Sequence, residues 1–407
     1  MDLSRKAVLM ILQFLDEHSY KNTLRELIHE SGVEFEGVHG LPSGKLISLI
    51  DRDLELTSHL NSRHTSIEIE DTAEDSVYVT RELVRFDAIG CGSNVLITLL
   101  NTNGYLISGC SDKNIHILKL KCPILSHGYQ LEEPRSLSIH QGGVVSLDIH
   151  PNNQNMIASG SMDATLAIYD ISSPLDEPLQ KFTDHQKFVV RVKWSPSGQY
   201  LVTASHDKSF IVYKWDTDTK TLNKIHKLEH SHIIEGLAFK NKSDEFIISL
   251  RDCSYLYWYR IEIDEVIEFK KVNLNEYGDD HVSFNALDIS FSPNDNMILV
   301  STDRQHAILL DSNTGQFLLK HYGFISDELC QPRHCWHPSG LYFYETCQDH
   351  AINVVSVALE KVVHRLIGHT QLVVRFYRND LRNLSFSRDH NVLVSSSYDG
   401  SVRIWTY

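Results

Sequence analysis

The last thirteen residues are Ser395-Ser396-Ser397-Tyr398-Asp399-Gly400-Ser401-Val402-Arg403-Ile404-Trp405-Thr406-Tyr407. A strand ends in small residues, Asp399-Gly400 turns the chain, and an alternating strand runs on to Trp405. Asp-Gly between two alternating runs is a strong hairpin signal, because both turn residues have to tolerate positive φ. The Asp carboxylate can also cap backbone amides of its own turn. Trp405 falls on the returning strand, within reach of a hydroxyl and a histidine from upstream. A lone hairpin is marginal in water, so the weight of the pattern depends on whether it recurs.

It recurs at a period of about 40 residues, with insertions. The fullest unit has Phe182-Thr183-Asp184-His185, then Val189-Val190-Arg191-Val192-Lys193-Trp194-Ser195-Pro196-Ser197-Gly198, then Tyr200-Leu201-Val202-Thr203-Ala204-Ser205-His206-Asp207, then Phe210-Ile211-Val212-Tyr213. A second has His140, residues 144–151, Ile157-Ala158-Ser159-Gly160-Ser161-Met162-Asp163 and residues 166–169. A third has His230, residues 234–239, Ile247-Ile248-Ser249-Leu250-Arg251-Asp252 and Trp258. A fourth joins His369 to the closing stretch across an insertion at residues 375–382. Three weaker units lie at residues 96–120, with Leu118 where a ring is expected, at 287–311, and from about 327, with Val355 at the ring position. Each unit supplies four short strands that cannot bury both faces alone, whereas a ring of such units can.

These units resemble the WD repeat, over about 330 residues. The resemblance implies a mainly β protein, a seven-bladed WD-repeat propeller across residues 77–407. The last unit ends on its third strand, so residues 77–84, which alternate suitably, are expected to supply the fourth and close the ring. The resemblance gives structural roles to four sets: His140, Ser159, Asp163, Tyr169; His185, Thr203, Asp207, Tyr213; His230, Ser249, Asp252, Trp258; and His369, Ser395, Asp399, Trp405. It places partner contacts on the top face, around the channel mouth. Projecting the repeat register there gives Met162, Phe188, His206, Ile233, Arg251, Gln348 and Tyr398, several of them types enriched in interface hot spots. Arg191, Arg251 and Arg304 can contribute to an anionic peptide site, but they are too scattered in sequence to specify phosphopeptide reading.

Residues 7–30 carry a helical period, with apolar Val8, Ile11, Leu12, Leu15, Leu24, Leu27 and Ile28 at spacings of three and four. Two helices are expected, at 7–17 and 21–30, with Ser19 as a cap and Gly32 as a stop. Two short helices leave an apolar face that needs a partner. Ile11-Leu12-Gln13-Phe14-Leu15, Ser19-Tyr20-Lys21-Asn22-Thr23-Leu24, Leu27 and Glu30-Ser31-Gly32 resemble the LisH motif. That likeness implies a homodimer through Ile11, Leu12, Leu15, Tyr20, Leu24 and Leu27. A third helix is expected over 43–61, completing an N-terminal segment of residues 1–61. Leu41-Pro42-Ser43-Gly44-Lys45-Leu46-Ile47-Ser48-Leu49-Ile50 is similar to the F-box-like part of the transducin-beta-like corepressor proteins. Residues 62–76 are acidic and read as an exposed linker.

Composition narrows the function. The 407 residues are 42% apolar and carry a net charge of −15, which argues against direct nucleic-acid binding. No apolar run is long enough for a membrane span, and the N-terminus lacks a signal-peptide pattern. Seven scattered Cys without a CxxC fit a reducing compartment, the nucleus or the cytoplasm. The His–Ser–Asp sets recur unit after unit, unlike a single catalytic site, and there is no GxSxG elbow or phosphate-binding loop. No catalytic residue and no cofactor is expected. Cys330, His334, Cys335 and His337 form the compact group with metal-ligand chemistry, and packing is the default for them, so no metal is expected either. The expected function is a non-enzymatic scaffold binding proteins or peptides within a larger complex, of transcriptional corepressor or chromatin type. The alternatives are a ubiquitin-ligase subunit and, from another class, an enzyme or metal-binding protein using the propeller face.

Overall fold

The structure, a computed structural model, describes residues 3–17, 20–32, 46, 78–87, 93–120, 135–275, 278, 281–322, 331–370, 381–387 and 391–407. The chain forms two compact units, Met1–Asp71 and Thr72–Tyr407.

Within the first unit, α1 spans Leu3–Glu17 and α2 spans Lys21–Ser31. α1 starts four residues ahead of the expected boundary, since Ser4-Arg5-Lys6 contains no helix breaker. Gly32 takes a left-handed φ of 61° and its N–H bonds to Ile28 O, which ends α2 as expected of a C-terminal glycine. The expected cap Ser19, most of the third helix at 43–61 and the acidic stretch 62–76 lie outside the described residues.

The second unit is a seven-bladed β-propeller. Its described strands form seven four-stranded antiparallel sheets. Blade 1 contains β2 (Val95–Leu100), β3 (Tyr105–Cys110), β4 (Asn114–Lys119) and β5 (Arg135–Ser138). Blade 2 contains β6 (Val144–His150), β7 (Asn153–Ser161), β8 (Leu166–Asp170) and β9 (Gln180–Phe182). Blade 3 contains β10 (Val189–Trp194), β11 (Tyr200–Ser205), β12 (Ser209–Asp216) and β13 (Thr221–Glu229). Blade 4 contains β14 (Ile234–Phe239), β15 (Glu245–Leu250), β16 (Tyr255–Glu262) and β17 (Glu265–Asn273). Blade 5 contains β18 (Ala286–Phe291), β19 (Met297–Thr302), β20 (His306–Asp311) and β21 (Phe317–Tyr322). Blade 6 contains β22 (His334–Trp336), β23 (Tyr342–Thr346), β24 (Ile352–Ser356) and β25 (Lys361–Leu366). Blade 7 contains β26 (Leu381–Ser387), β27 (Val392–Ser397) and β28 (Val402–Thr406), with β1 (Arg81–Phe86) from the other end of the chain as its fourth strand.

First strands of neighbouring blades touch all the way round, blade 7 meeting blade 1 through β26 and β2. Second strands lie between two neighbours, so β11, β19 and β27 are buried along their whole length. The outer strands β13 and β17 each bury a single residue, and β17 exposes most of its length. The core is a set of seams between blades. One joins Met156, Ala158 and Ile168 of blade 2 to Val192, Trp194 and Tyr213 of blade 3. Burial of this kind contributes about 25 cal/mol per Å² of apolar surface.

The closing strand sits later than the expected 77–84. It runs over Arg81–Phe86, because Phe86 is the residue that reaches the apolar seam with Val402 and Ile404. The ladder carries a bulge between Glu82 and Val84, and buried Arg403 pairs with Glu82 across it. Val79 lies ahead of the strand, buried among Tyr344, Leu393 and Trp405, and its N–H bonds to the Tyr344 hydroxyl. At the Asp399-Gly400 turn only Gly400 takes positive φ, 73°. The two-residue positive-φ turn expected of Asp-Gly is not formed; the Asp399 carboxylate instead accepts from Ser401 N–H in its own turn and from Thr370 N–H in the preceding loop.

Candidate functional site

The repeated His–hydroxyl–Asp networks lie on the blades' top side, where each second strand turns into the third. In blade 3, His185 is 2.8 Å from Thr203 Oγ1 and 3.0 Å from Asp207 Oδ2. In blade 7, His369 makes the same pair of contacts with Ser395 (2.8 Å) and Asp399 (3.0 Å), and Trp405 Nε1–H donates to Ser395. In blade 2, His140 meets Ser159 at 2.7 Å and reaches Asp163 through Thr165. Burial alone would raise the Asp163 carboxyl, but bonds from the Thr165 hydroxyl and from the Gln141 and Thr165 amides outweigh it and hold the carboxyl at about 2. Burial lowers His140 and His369 despite the neighbouring carboxylates. These groups are consumed in joining loop to turn. Tyr213 departs in detail, since its hydroxyl donates to Asp184.

Blade 4 corrects the expectation for its set. The register Ile248↔Tyr257, Phe246↔Tyr259 puts Ile248 where the hydroxyl stands in blade 3, and Tyr259 where Tyr213 stands. Ser249 and Trp258 are one residue off and face the other side of the sheet, since side chains alternate along a strand. Ser249 donates to Ala286 O and Trp258 packs against blade 5. His230 meets the Tyr259 hydroxyl at 3.1 Å, and Asp252 is exposed at a φ of 51°.

The propeller encloses a central cavity of about 670 Å³. Of the top-face residues read from the sequence, Met162, Phe188, His206 and Tyr398 line it. Ile233, Arg251 and Gln348 do not. Arg251 turns instead to the buried Glu235, which does line the cavity. Phe188 and Met162 remain 45% and 40% exposed, large apolar side chains left open at a channel mouth. The backbone fixes Phe188 beside His206, whose N–H donates to Phe188 O, with the rings 6.0 Å apart. Burial lowers the His206 pKa, and the charges of Arg251, Arg191 and Lys187 push the same way against Glu235.

Of Arg191, Arg251 and Arg304, Arg191 lines the channel, and sequence reading missed the polar groups it meets there, Asp288 and Arg333. Arg191, Gly236 and Asp288 occupy equivalent places, each following the bulge in the first strand of its blade. Arg333 occupies that place in blade 6, its carbonyl accepting from Thr346 N–H. Gly236 presents no side chain, and a Cβ there would meet Ser249 Oγ at 2.5 Å. Arg191 therefore reaches past blade 4 to blade 5, donating to Leu287 O (3.1 Å) and Asp288 Oδ1 (3.2 Å). Arg333 comes from the other side to Leu287 O (3.0 Å) and lies 3.5 Å from Asp288 Oδ1. The register shared with Arg191 was the available signal. Arg304 is not among the lining residues; its Nε–H donates to Ser283 O.

Packing, the expectation for Cys330, His334, Cys335 and His337, is what the described histidines of that group do. Cys330 lies outside the described residues, while His334 is wedged between Ser290 and Ser301 and His337 bonds Ser339 and Tyr407. Among the described residues, Cys110, Asp112 and His116 are the ones close enough to share an ion. Asp112 and His116 already bond each other at 2.8 Å, and burial, with Asp112 adding to it, pushes the Cys110 thiol up to about 12. A protonated thiol is a poor ligand.

In the first unit, Ile11 and Tyr20 are exposed, and Leu15, Leu24 and Leu27 are half-buried. Leu12 is 0% exposed, so it has no surface to offer a second copy and is removed from the expected dimer contacts.

Residues 131–170, 176–214 and 360–406 match the family described as WD domain, G-beta repeat. The chain is similar to a ribosome biogenesis protein WDR12 homolog of Nematostella vectensis, 42% identical over 77 residues, 19% of this chain and 18% of that protein. It is similar to the GATOR2 complex protein WDR24 of Dictyostelium discoideum, 29% identical over 119 residues, 29% of this chain and 11% of that protein. It is similar to a histone acetyltransferase type B subunit 2 of Kluyveromyces lactis, 29% identical over 126 residues, 30% of each chain. The matches thus span 11% to 30% of these relatives. Among the described residues, no helix is long and apolar enough to cross a membrane.

Proposed function

We propose that this chain, a WD-repeat protein, is a non-enzymatic scaffold whose channel mouth binds a protein or peptide partner inside a multi-subunit complex. The observation that carries it is the pair of exposed apolar side chains, Phe188 and Met162, held at the rim of the channel. Large, rigid apolar groups around a partly buried centre are the usual anchors of protein interfaces. The His–hydroxyl–Asp groups that would suggest hydrolysis are spent on loop structure. The helical hairpin supports a homodimer through Ile11, Leu15, Tyr20, Leu24 and Leu27, and two mouths per particle would add avidity. The F-box-like likeness favours a corepressor or chromatin complex over a ubiquitin ligase, in the nucleus or the cytoplasm. The relative named as a histone acetyltransferase subunit supports that direction.

Quantitative affinity purification of wild type against Phe188→Ala/Arg251→Ala tests the mouth. Loss of a defined partner set supports the reading, and an unchanged set overturns it. Light scattering tests the hairpin. Wild type is expected at twice the chain mass, and Leu15→Asp/Leu27→Asp at the chain mass. A monomeric wild type ends the dimer claim.

A further inference from the structure

Two arginines, Arg191 and Arg333, line the channel together in a protein whose net charge is −15. Arg191, Arg251 and Lys187 all act on His206, and Arg333 joins Arg191 at Asp288. Elsewhere in the lining Lys193 pairs with Asp148 and Glu235 pairs with Arg251 from outside it, so the cation in excess of its carboxylate is at Asp288, which faces both Arg191 and Arg333. Lys187 is exposed, with no carboxylate at ion-pair distance among the described residues. The turn carboxylates nearby are held by backbone amides of their own turns and of the loops before the first strands, and none of them is among the charges acting on His206. Asp163 accepts the Gln141 and Thr165 amides, Asp207 the Gln186 and Ser209 amides, and Asp399 the Thr370 and Ser401 amides. Asp303 is likewise taken up by Asn285.

Two arginines converging on one carboxylate are the arrangement that recognises a carboxylate from outside. Here Asp288 stands in that place, and the Leu287 carbonyl, which accepts from both guanidinium groups, holds them there independently of it. One Asp leaves one positive charge uncompensated in a confined, poorly solvated channel, where a second carboxylate gains most. Phe188 and Met162 offer apolar surface at the same rim.

We propose that the mouth docks an acidic peptide segment, one carboxylate entering between Arg191 and Arg333 in competition with Asp288 while an apolar side chain packs on Phe188. This rests on the reading of the mouth as a partner site and adds the partner's chemistry.

The probe is a fluorescein-labelled peptide of Glu residues around a central Phe, compared by anisotropy with its Gln and Lys counterparts, on the full chain. The Glu peptide is expected to bind about tenfold tighter than the Gln peptide, and the Lys peptide weakest. Asp288→Asn, which removes the internal competitor, is expected to tighten the Glu peptide several-fold. Exposed Lys187→Glu should weaken it about tenfold, with melting curves confirming that both variants fold. Equal binding of Glu and Gln peptides, or no gain in Asp288→Asn, overturns the proposal and reduces the arginines to a cross-channel brace. So does equal binding of a single-stranded oligonucleotide of matching charge, which would indicate a general polyanion surface. If the Gln peptide binds as well and Phe188→Ala weakens both, the docking mouth survives and only its charge preference falls. If no peptide binds and Phe188→Ala/Arg251→Ala keeps every partner, both readings fall.

Discussion

Blade 3 and blade 6 have the same four-strand plan and solve the same problem differently. At the position of Thr203 in blade 3, blade 6 carries Glu345, as the matching ladders Thr203↔Ile211 and Glu345↔Asn353 show. Blade 3 ties its own loop to its own turn through His185, Thr203 and Asp207. Blade 6 is tied to its neighbours. His334 bonds Ser290 and Ser301 of blade 5, His337 bonds Tyr407 beyond blade 7, and Tyr344 bonds Val79 ahead of the closing strand. The turn carboxylate Asp349 pairs with Arg365 at the surface. The lesson is that a blade can be locked from within or from the sides, and only the first kind survives loss of a neighbour.

The largest test removes the neighbour. Deleting residues 1–86 takes away β1, the Glu82–Arg403 pair and the Val79–Tyr344 contact together. A buried ion left unpaired costs about 3–5 kcal/mol by itself, and Arg403 would be such an ion. Hydrogen exchange is expected to show blades 6 and 7 losing protection first, with β11 keeping it longest. Uniform loss across all blades would erase the distinction. Deleting residues 1–60 instead leaves the closing strand in place and should cost dimerisation alone.

The next test works on equivalent turns. Asp207→Ala removes the partner of His185 and of the Gln186 and Ser209 amides, and is expected to cost about 3 kcal/mol. Asp349→Ala removes an exposed pair with Arg365, and about 0.5 kcal/mol is expected. Denaturant midpoints at equal slope measure both. Similar losses would mean that the turn Asp matters in every blade, whatever it touches.

Much of this was legible in the sequence. Blades 2, 3 and 7 announce themselves through His, hydroxyl and Asp at fixed spacings, because a self-contained lock has to be written within one repeat. Blade 4 misled by one residue, because Ile248-Ser249 and Trp258-Tyr259 each offer two plausible choices and only the strand register separates them. The side locks of blade 6 were invisible, since Ser290, His334 and Ser301 come from two repeats. The polar groups that Arg191 meets in the channel were hidden for the same reason. Arg191, Asp288 and Arg333 meet only once the ring is closed. Local chemistry can be read from spacing, whereas chemistry between repeats needs the register of both.

The smallest effect probes Glu345 alone. It is 2% exposed, and one carboxylate oxygen has no partner. Burial, with Asp288 adding to it and a bond from Ser301 opposing, raises its pKa from 4.5 to about 8. A raised folded pKa gives stability that is complete below the unfolded value and is lost as pH climbs through the folded one. The wild type should therefore lose ground to Glu345→Gln between pH 4.5 and 8, with the gap constant beyond. His337, held at about 4 by burial, works in the other direction. Its contribution is present above the ordinary histidine value and is lost as pH falls towards 4, so the two overlap between pH 4.5 and 6.5 and partly cancel in the wild type. Taking the difference between wild type and Glu345→Gln removes the histidine part. Melting temperatures are expected to separate by a few degrees by pH 8, at about 2 °C per kcal/mol for a chain of this size. A Thr203→Val variant in blade 3 should show no such trend in that window, because a hydroxyl does not titrate there. A flat difference for Glu345→Gln would place that carboxylate in contact with water and return blade 6 to the pattern of blade 3.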